Sequence, residues 1–98
     1  MKITFLGGGN MANALIGGML KQGFAAADIT VIDPGSAARD KLERTYAVNC
    51  LETGEMLDNI GDLLVLAVKP QQMKDAVTPL VDKLGNAVVV SIAAGLDL

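Results

Sequence analysis

The sequence predicts an α/β fold built on a doubly wound parallel sheet, and three observations carry that expectation. Short β-branched or apolar runs alternate with segments whose apolar residues recur at helical spacing, the pattern of successive β-α-β units. A glycine-rich turn joins the first run to the first helical segment. Residues 63–68, LLVLAV, are apolar without interruption, as suits a strand covered by helices on both faces. With right-handed crossovers these units give a Rossmann-like sheet of strand order 3-2-1-4-5.

Ile3, Thr4, Phe5 and Leu6 form the first strand, and the helix after it carries an apolar stripe through Met11, Ala14, Leu15, Gly18 and Met19. Between them Gly7, Gly9 and Ala12 spell G-x-G-x-x-A, the dinucleotide-binding turn with alanine in third place. Gly7 permits the sharp turn, Gly9 presents no side chain to hold a pyrophosphate off the backbone, and Ala12 lets the helix lie close to the sheet. The first-turn N–H groups, which lack intrahelical partners, then face the phosphates. An ordinary strand-to-helix loop is the competing reading; the strand before the turn and the helix after it favour the nucleotide. Asn10 is placed to cap the helix and to meet a phosphate or the nicotinamide edge, two compatible roles. Met11 has two readings, cofactor contact or core residue beneath the helix.

The first helix stops at Gln22 and Gly23, and residues 29–33 form a second strand ended by Pro34, Gly35 and Ser36. Residues 37–46 read as an amphipathic helix, with Leu42 and Tyr46 inward at i, i+4 and Glu43 and the neighbouring bases on a solvated face. A short edge strand over 47–51 and a short helix over 55–60, ended by Gly61, lead to the apolar fourth strand. Pro70 then suits the first position of a helix, where its missing N–H has no intrahelical partner. That helix carries Met73, Val77, Leu80, Val81 and Leu84 as its stripe. Pro79 falls inside it and predicts a break near Val77 or Thr78. Residues 87–92, AVVVSI, form a last buried strand.

Ninety-eight residues make one small domain with a single core. A net charge of -3 without any Lys/Arg cluster disfavours DNA or RNA as partner. No apolar stretch is long enough to span a bilayer and no cleavage-site pattern follows the N-terminus, so a soluble, cytoplasmic protein is expected. The absence of histidine removes a His general base, His-containing metal sites and Ser-His or Cys-His devices from these residues. The lone Cys50 reads as a small, half-buried thiol and the scattered methionines as core filling.

Strands one and four are neighbours whose helices leave on opposite faces. Their carboxyl ends make the switch-point crevice and set residues 7–11 opposite residues 67–70. Asp33, at the end of the second strand, is placed to bind the adenine ribose hydroxyls and to repel a 2'-phosphate, which favours NAD. Ser36 and Arg39 follow closely and together suit a 2'-phosphate, against the plainer reading of Arg39 as a solvated helix-face charge. Cofactor preference stays open on these residues. Lys69 reads either as a cation beside the pyrophosphate or nicotinamide ribose, or as a lysine reaching from a strand end to water.

Three segments in order, FLGGGNMANALIGGML, DLLVLAVKPQQM and VVVSIAAGL, resemble the amino-terminal half of pyrroline-5-carboxylate reductase, most distinctively in GGGNMA, AVKPQ and SIAAG. The resemblance implies an oxidoreductase that reduces the C=N bond of 1-pyrroline-5-carboxylate to L-proline, the last step of proline biosynthesis, with hydride from NADPH or NADH. It places Gly7, Gly9, Asn10, Met11 and Ala12 at the pyrophosphate and the loop of Asp33, Pro34 and Ser36 at the adenosine end. Ala67, Val68, Lys69 and Pro70 fall on the nicotinamide side, and Ala93, Ala94 and Gly95 near nicotinamide and substrate. No catalytic or metal-binding residue is assigned. Pro34 stands where many relatives carry a basic residue, and Gly54 lies near the position of an asparagine that reaches the cofactor ribose in many of them.

Members of that family continue into further strands and a helical domain that supplies dimer contacts and much of the substrate site. The expectation is therefore an NAD(P)-binding domain over residues 1–98, from a homo-oligomeric parent, that catalyses poorly or not at all by itself. With nothing beyond it, the strand at 87–92 becomes an apolar edge that invites a strand-paired or swapped dimer. The alternatives are the amino-terminal domain of a beta-hydroxyacid-type dehydrogenase, which AVKPQ and SIAAG disfavour, and a non-catalytic dinucleotide-binding module.

Overall fold

All four residues of the first strand, β1 (Ile3–Leu6), are buried in the computed structural model of the chain, which describes residues 1–68 and 70–92. β1 earns that burial by lying in the middle of a five-stranded parallel sheet of order β3-β2-β1-β4-β5, with β2 at Ile29–Ile32, β3 at Asn49–Leu51, β4 at Leu63–Leu66 and β5 at Val88–Ser91. Its three helices are α1 (Asn10–Lys21), α2 (Ser36–Tyr46) and α3 (Pro70–Val77). The strand order and class are those the sequence predicts.

Side chains alternate across a strand, so each strand feeds two cores. Ile3 and Phe5 of β1 join Ile29, Val31 and Val65 beneath Ala12 and Ile16 of α1 and Leu42 of α2. On the other face Leu6, Ile32 and Leu64 pack with Ile60 and Leu80. Thr4 is the one buried polar residue among those described, and its hydroxyl donates to the Ile60 carbonyl at 2.7 Å, so its burial leaves no unsatisfied group.

Several local expectations are corrected. The buried residues of α1 are Ala12 and Ile16, not the stripe through Met11, Ala14 and Leu15; Met11 is 51% exposed. Residues 11–20 are apolar nearly all round, so periodicity alone does not set the phase of the helix. The close approach of Ala12 to the sheet sets it instead. Residues 55–60 do not form a helix: a single 3-10 turn spans Gly54–Met56, with the Thr53 hydroxyl accepting from the Glu55 N–H at 2.9 Å, too short to nucleate more.

The break at Pro79 is present, α3 ending at Val77 and a 3-10 segment continuing over Thr78–Lys83 with the proline in its first turn. Tightening to three residues per turn keeps Leu80 inward and rotates Val81 out of the stripe into solvent. β5 is not buried as expected. Among the described residues it pairs only with β4, and Val88 is 62% exposed. Among the described residues no helix is long and apolar enough to cross a membrane.

Cys50 on β3 is half-buried, its Sγ 3.6 Å from the Arg39 carbonyl oxygen. Burial pushes the thiol from its ordinary 9.0 up to about 11, with Glu43 adding to the effect and Arg39 opposing it. Alkylation of Cys50 should therefore titrate near pH 11 rather than 9.0. At pH 8 it should run ~100-fold below an unperturbed thiol, since only the thiolate reacts. The raised pKa adds stability that is complete below 9.0 and is lost as pH rises through about 11, so urea midpoints should fall across that window. The corrected phase of α1 gives a second expectation. Ile16→Ala should cost about 2–5 kcal/mol in urea unfolding, while Leu15→Ala on the exposed face should cost about 0.5 kcal/mol or less.

Candidate functional site

The carboxyl edge of the sheet is laced together by one hydrogen bond past the end of each strand pair. Asp33 N–H donates to Leu51, Gly7 N–H to Ile32, Ala67 N–H to Leu6 and Ile92 N–H to Leu66, at 2.9, 2.8, 2.8 and 2.9 Å. Asp33, Gly7 and Ala67 thereby stand side by side on adjacent strands, which is the switch-point arrangement predicted from the strand order.

The three consecutive glycines differ in what demands them. Gly7 has φ +104°, and a Cβ there would lie 2.8 Å from the Ala67 carbonyl oxygen, so backbone conformation and close approach both exclude a side chain. Gly8, which the motif leaves unspecified, is buried; a Cβ on it would meet Leu42 Cδ1 at 2.9 Å and Val31 Cγ1 at 3.2 Å. Gly9 is exposed, has φ -77° and ψ -164°, and a Cβ on it would meet nothing within 4 Å. Nothing among the described residues requires Gly9 to be glycine.

Gly9, not Asn10, is the N-cap of α1, and no side chain caps that end. Asn10 is the first helical residue and lies exposed beside Met11, so the capping role expected of it and the core role considered for Met11 both fall away. The first intrahelical bond runs from Asn13 N–H to the Gly9 carbonyl at 2.9 Å, which leaves the N–H groups of Asn10, Met11 and Ala12 directed off the end of the helix. No acidic residue occupies that first turn.

Asp33 is more constrained than the sequence indicates. Its Oδ2 accepts from Gly8 N–H and its Oδ1 from Gly35 N–H, both at 2.8 Å, while its backbone carbonyl accepts from Arg39 Nη1 at 2.8 Å. Arg39 is accordingly half-buried and tied to the loop, not a solvated helix-face charge. Ser36 is the exposed first residue of α2.

Beside this loop lies a cleft of about 340 Å³, lined by Leu6, Ile32, Pro34 and Val68 and by residues of the Gly54–Met56 turn and α3. It falls at the lower end of the roughly 300–1,000 Å³ typical of small-molecule sites. Val68 shares this cleft with Pro34, whereas Ala67 lies under Gly7. Pro70 opens α3 as predicted, and Lys69, Ala93, Ala94 and Gly95 lie outside the described residues.

Of the wall formed by Thr53, Gly54, Gln72 and Asp75, the sequence marks only Gly54, through the family resemblance, because the turn that carries it has no periodicity. Gly54 is held there by Lys83, whose Nζ donates to its carbonyl at 2.8 Å. A Cβ on it would meet Leu80 Cδ2 at 2.7 Å, which explains why a larger residue is absent. An open helix N-terminus, a glycine without internal cause and an adjoining apolar cleft together fit the pyrophosphate and adenosine of a dinucleotide.

The pyrroline-5-carboxylate reductase of Pseudomonas aeruginosa is 42% identical to this chain over 96 residues, covering 97% of the chain and 35% of the relative. The solved structure of a pyrroline-5-carboxylate reductase from Coxiella burnetii superposes with a TM-score of 0.83 at 32% identity, over 92% of this chain and 34% of that one. A Plasmodium falciparum pyrroline carboxylate reductase, solved with NADP bound, shares the fold at 22% identity, with a TM-score of 0.75 over 94% of this chain and 33% of its own. The chain thus spans about a third of the length of these relatives. The family model described as NADP oxidoreductase, coenzyme F420-dependent, matches residues 2–95, and the chain belongs to that family.

Proposed function

We propose that this chain binds a nicotinamide dinucleotide, NADPH or NADH, along the crevice at the carboxyl ends of β1, β2 and β4, as the cofactor-binding part of a pyrroline-5-carboxylate reductase. The observation that carries the reading is Gly9. It has a backbone conformation open to any residue and empty space where its Cβ would stand, at the mouth of a helix with free N–H groups. A glycine that no described neighbour requires is explained by a ligand that must approach its backbone.

On this reading Gly7, Gly9, Asn10, Met11 and Ala12 form the pyrophosphate turn, with the N–H groups of α1 as donors to the phosphates. Asp33, Pro34 and Ser36 border the adenosine, whose base enters the cleft against Pro34 and Val68. Ala67, Lys69, Pro70 and Ala93 border the nicotinamide. When bound, the reduced nicotinamide supplies the hydride for a C=N bond, with 1-pyrroline-5-carboxylate as the substrate and L-proline as the product. The chain's own residues bind and orient the cofactor. Orientation of the imine falls to parts of the whole reductase, a cytoplasmic homo-oligomer, beyond this third of its length.

Titration calorimetry of the chain with NADH and with NADPH should show saturable binding of at least one, and no binding of either would overturn the proposal. Gly9→Asp separates ligand from fold. An aspartate N-cap facing the free N–H groups should raise stability by about 0.3–1 kcal/mol. The same carboxylate should weaken dinucleotide binding ~10-fold or more by occupying the phosphate position. Proline formation by the 98-residue chain should be undetectable beside that of a whole reductase; a comparable rate would show that these residues orient the imine as well.

A further inference from the structure

A 2'-phosphate on the adenine ribose needs donors and positive charge, and the loop after β2 sets a fixed carboxylate against it. Pro34 has no N–H. The N–H of Gly35, which stands at the start of α2 where an anion would otherwise be received, is already donated to Asp33 Oδ1. The other carboxylate oxygen is held by Gly8 N–H, so the Asp33 carboxylate is fixed from both sides by bonds of 2.8 Å. Arg39 is tied to this loop, its Nη1 donating to the Asp33 carbonyl. Glu52 and Asp75 line the adjoining cleft, and no Lys or Arg is among its described lining residues.

We infer that Asp33 makes this site select NADH over NADPH. The inference rests on the dinucleotide reading above. Each carboxylate oxygen accepts one backbone N–H and retains capacity for another donor, which ribose hydroxyls supply and a 2'-phosphate does not. The same residue thus joins the phosphate turn to the adenosine loop and reads the ribose between them. The family's description names NADP, and the loop of Asp33, Pro34 and Gly35 is what argues for NADH in this chain.

The test is titration of the chain with NADH and NADPH at low and high salt, repeated with Asp33→Asn. NADH should bind ~10-fold or more tighter at low salt, and raising the salt should narrow the gap because the repulsion is between charges near the surface. Asp33→Asn keeps an oxygen to accept from Gly8 N–H and loses the charge, so the preference should shrink toward unity, chiefly through tighter NADPH binding. Wild-type protein that binds NADPH as tightly as NADH, or a preference unmoved by both salt and Asp33→Asn, would overturn the selection while leaving the dinucleotide reading intact. Failure of both cofactors to bind would overturn that reading and this inference together. The salt series uses wild-type protein alone, so it decides the point even where Asp33→Asn folds poorly.

Discussion

The hydrogen bond from Gly8 N–H to the Asp33 carboxylate holds together the parts on which the site depends. Gly8 is buried against Leu42 and Val31, and a buried N–H left without an acceptor costs about 1–3 kcal/mol. Asp33 supplies that acceptor from the end of β2, and its second oxygen fixes Gly35 at the start of α2. One side chain therefore joins the turn after β1, the exit of β2 and the entry to α2. A ligand lying across this edge meets a surface whose backbone is already set.

The two-faced core explains why the surface is open where it is. β1 and β4 are neighbours, yet α1 packs with the cluster of Phe5, Ile16 and Leu42, while Leu80 and the chain after α3 pack with the cluster of Leu6, Ile32 and Leu64. The chain leaves the two strands toward opposite faces, so no element described here crosses the gap above their carboxyl ends. Close contact of Gly7 with Ala67 seals the gap at its base, where a Cβ would lie 2.8 Å from the Ala67 oxygen. The cleft of about 340 Å³ opens beside this contact, between Leu6, Ile32, Pro34 and Val68.

What the sequence made legible follows from this geometry. The sheet order was readable because each strand is a short apolar run bounded by a strong stop, such as Pro34 after β2 or Pro70 after β4. Pro79 announced its own helix break through its missing N–H. The phase of α1 was not readable, since Met11 and Leu15 are as apolar as the buried Ile16, and the choice is made by Ala12 against the sheet. The valine run of β5 reads alike whether it is covered or stands at an edge, so its pattern suggested a buried strand and only the place of the strand in the sheet order suggested an apolar edge. At the site, Gly7 and Gly9 followed from the motif, whereas the burial of Gly8 and the binding of Arg39 to the Asp33 carbonyl depend on tertiary contacts that no local pattern encodes.

Two helices begin at this edge of the sheet, and they treat anions in opposite ways. α1 starts with Gly9 as a cap without a side chain and with no acid in its first turn, so its N–H groups and the positive end of its dipole remain available. α2 also starts from a glycine, Gly35, but there an internal carboxylate already occupies the N–H. For a chain of net charge -3, binding an anionic cofactor requires a local positive field, and at the start of α2 the Asp33 carboxylate opposes that field. On the proposed reading the phosphates of the dinucleotide lie toward α1 and its ribose hydroxyls toward Asp33. Neither helix carries a side-chain cap, so what distinguishes the two ends is the Asp33 carboxylate held at the start of α2.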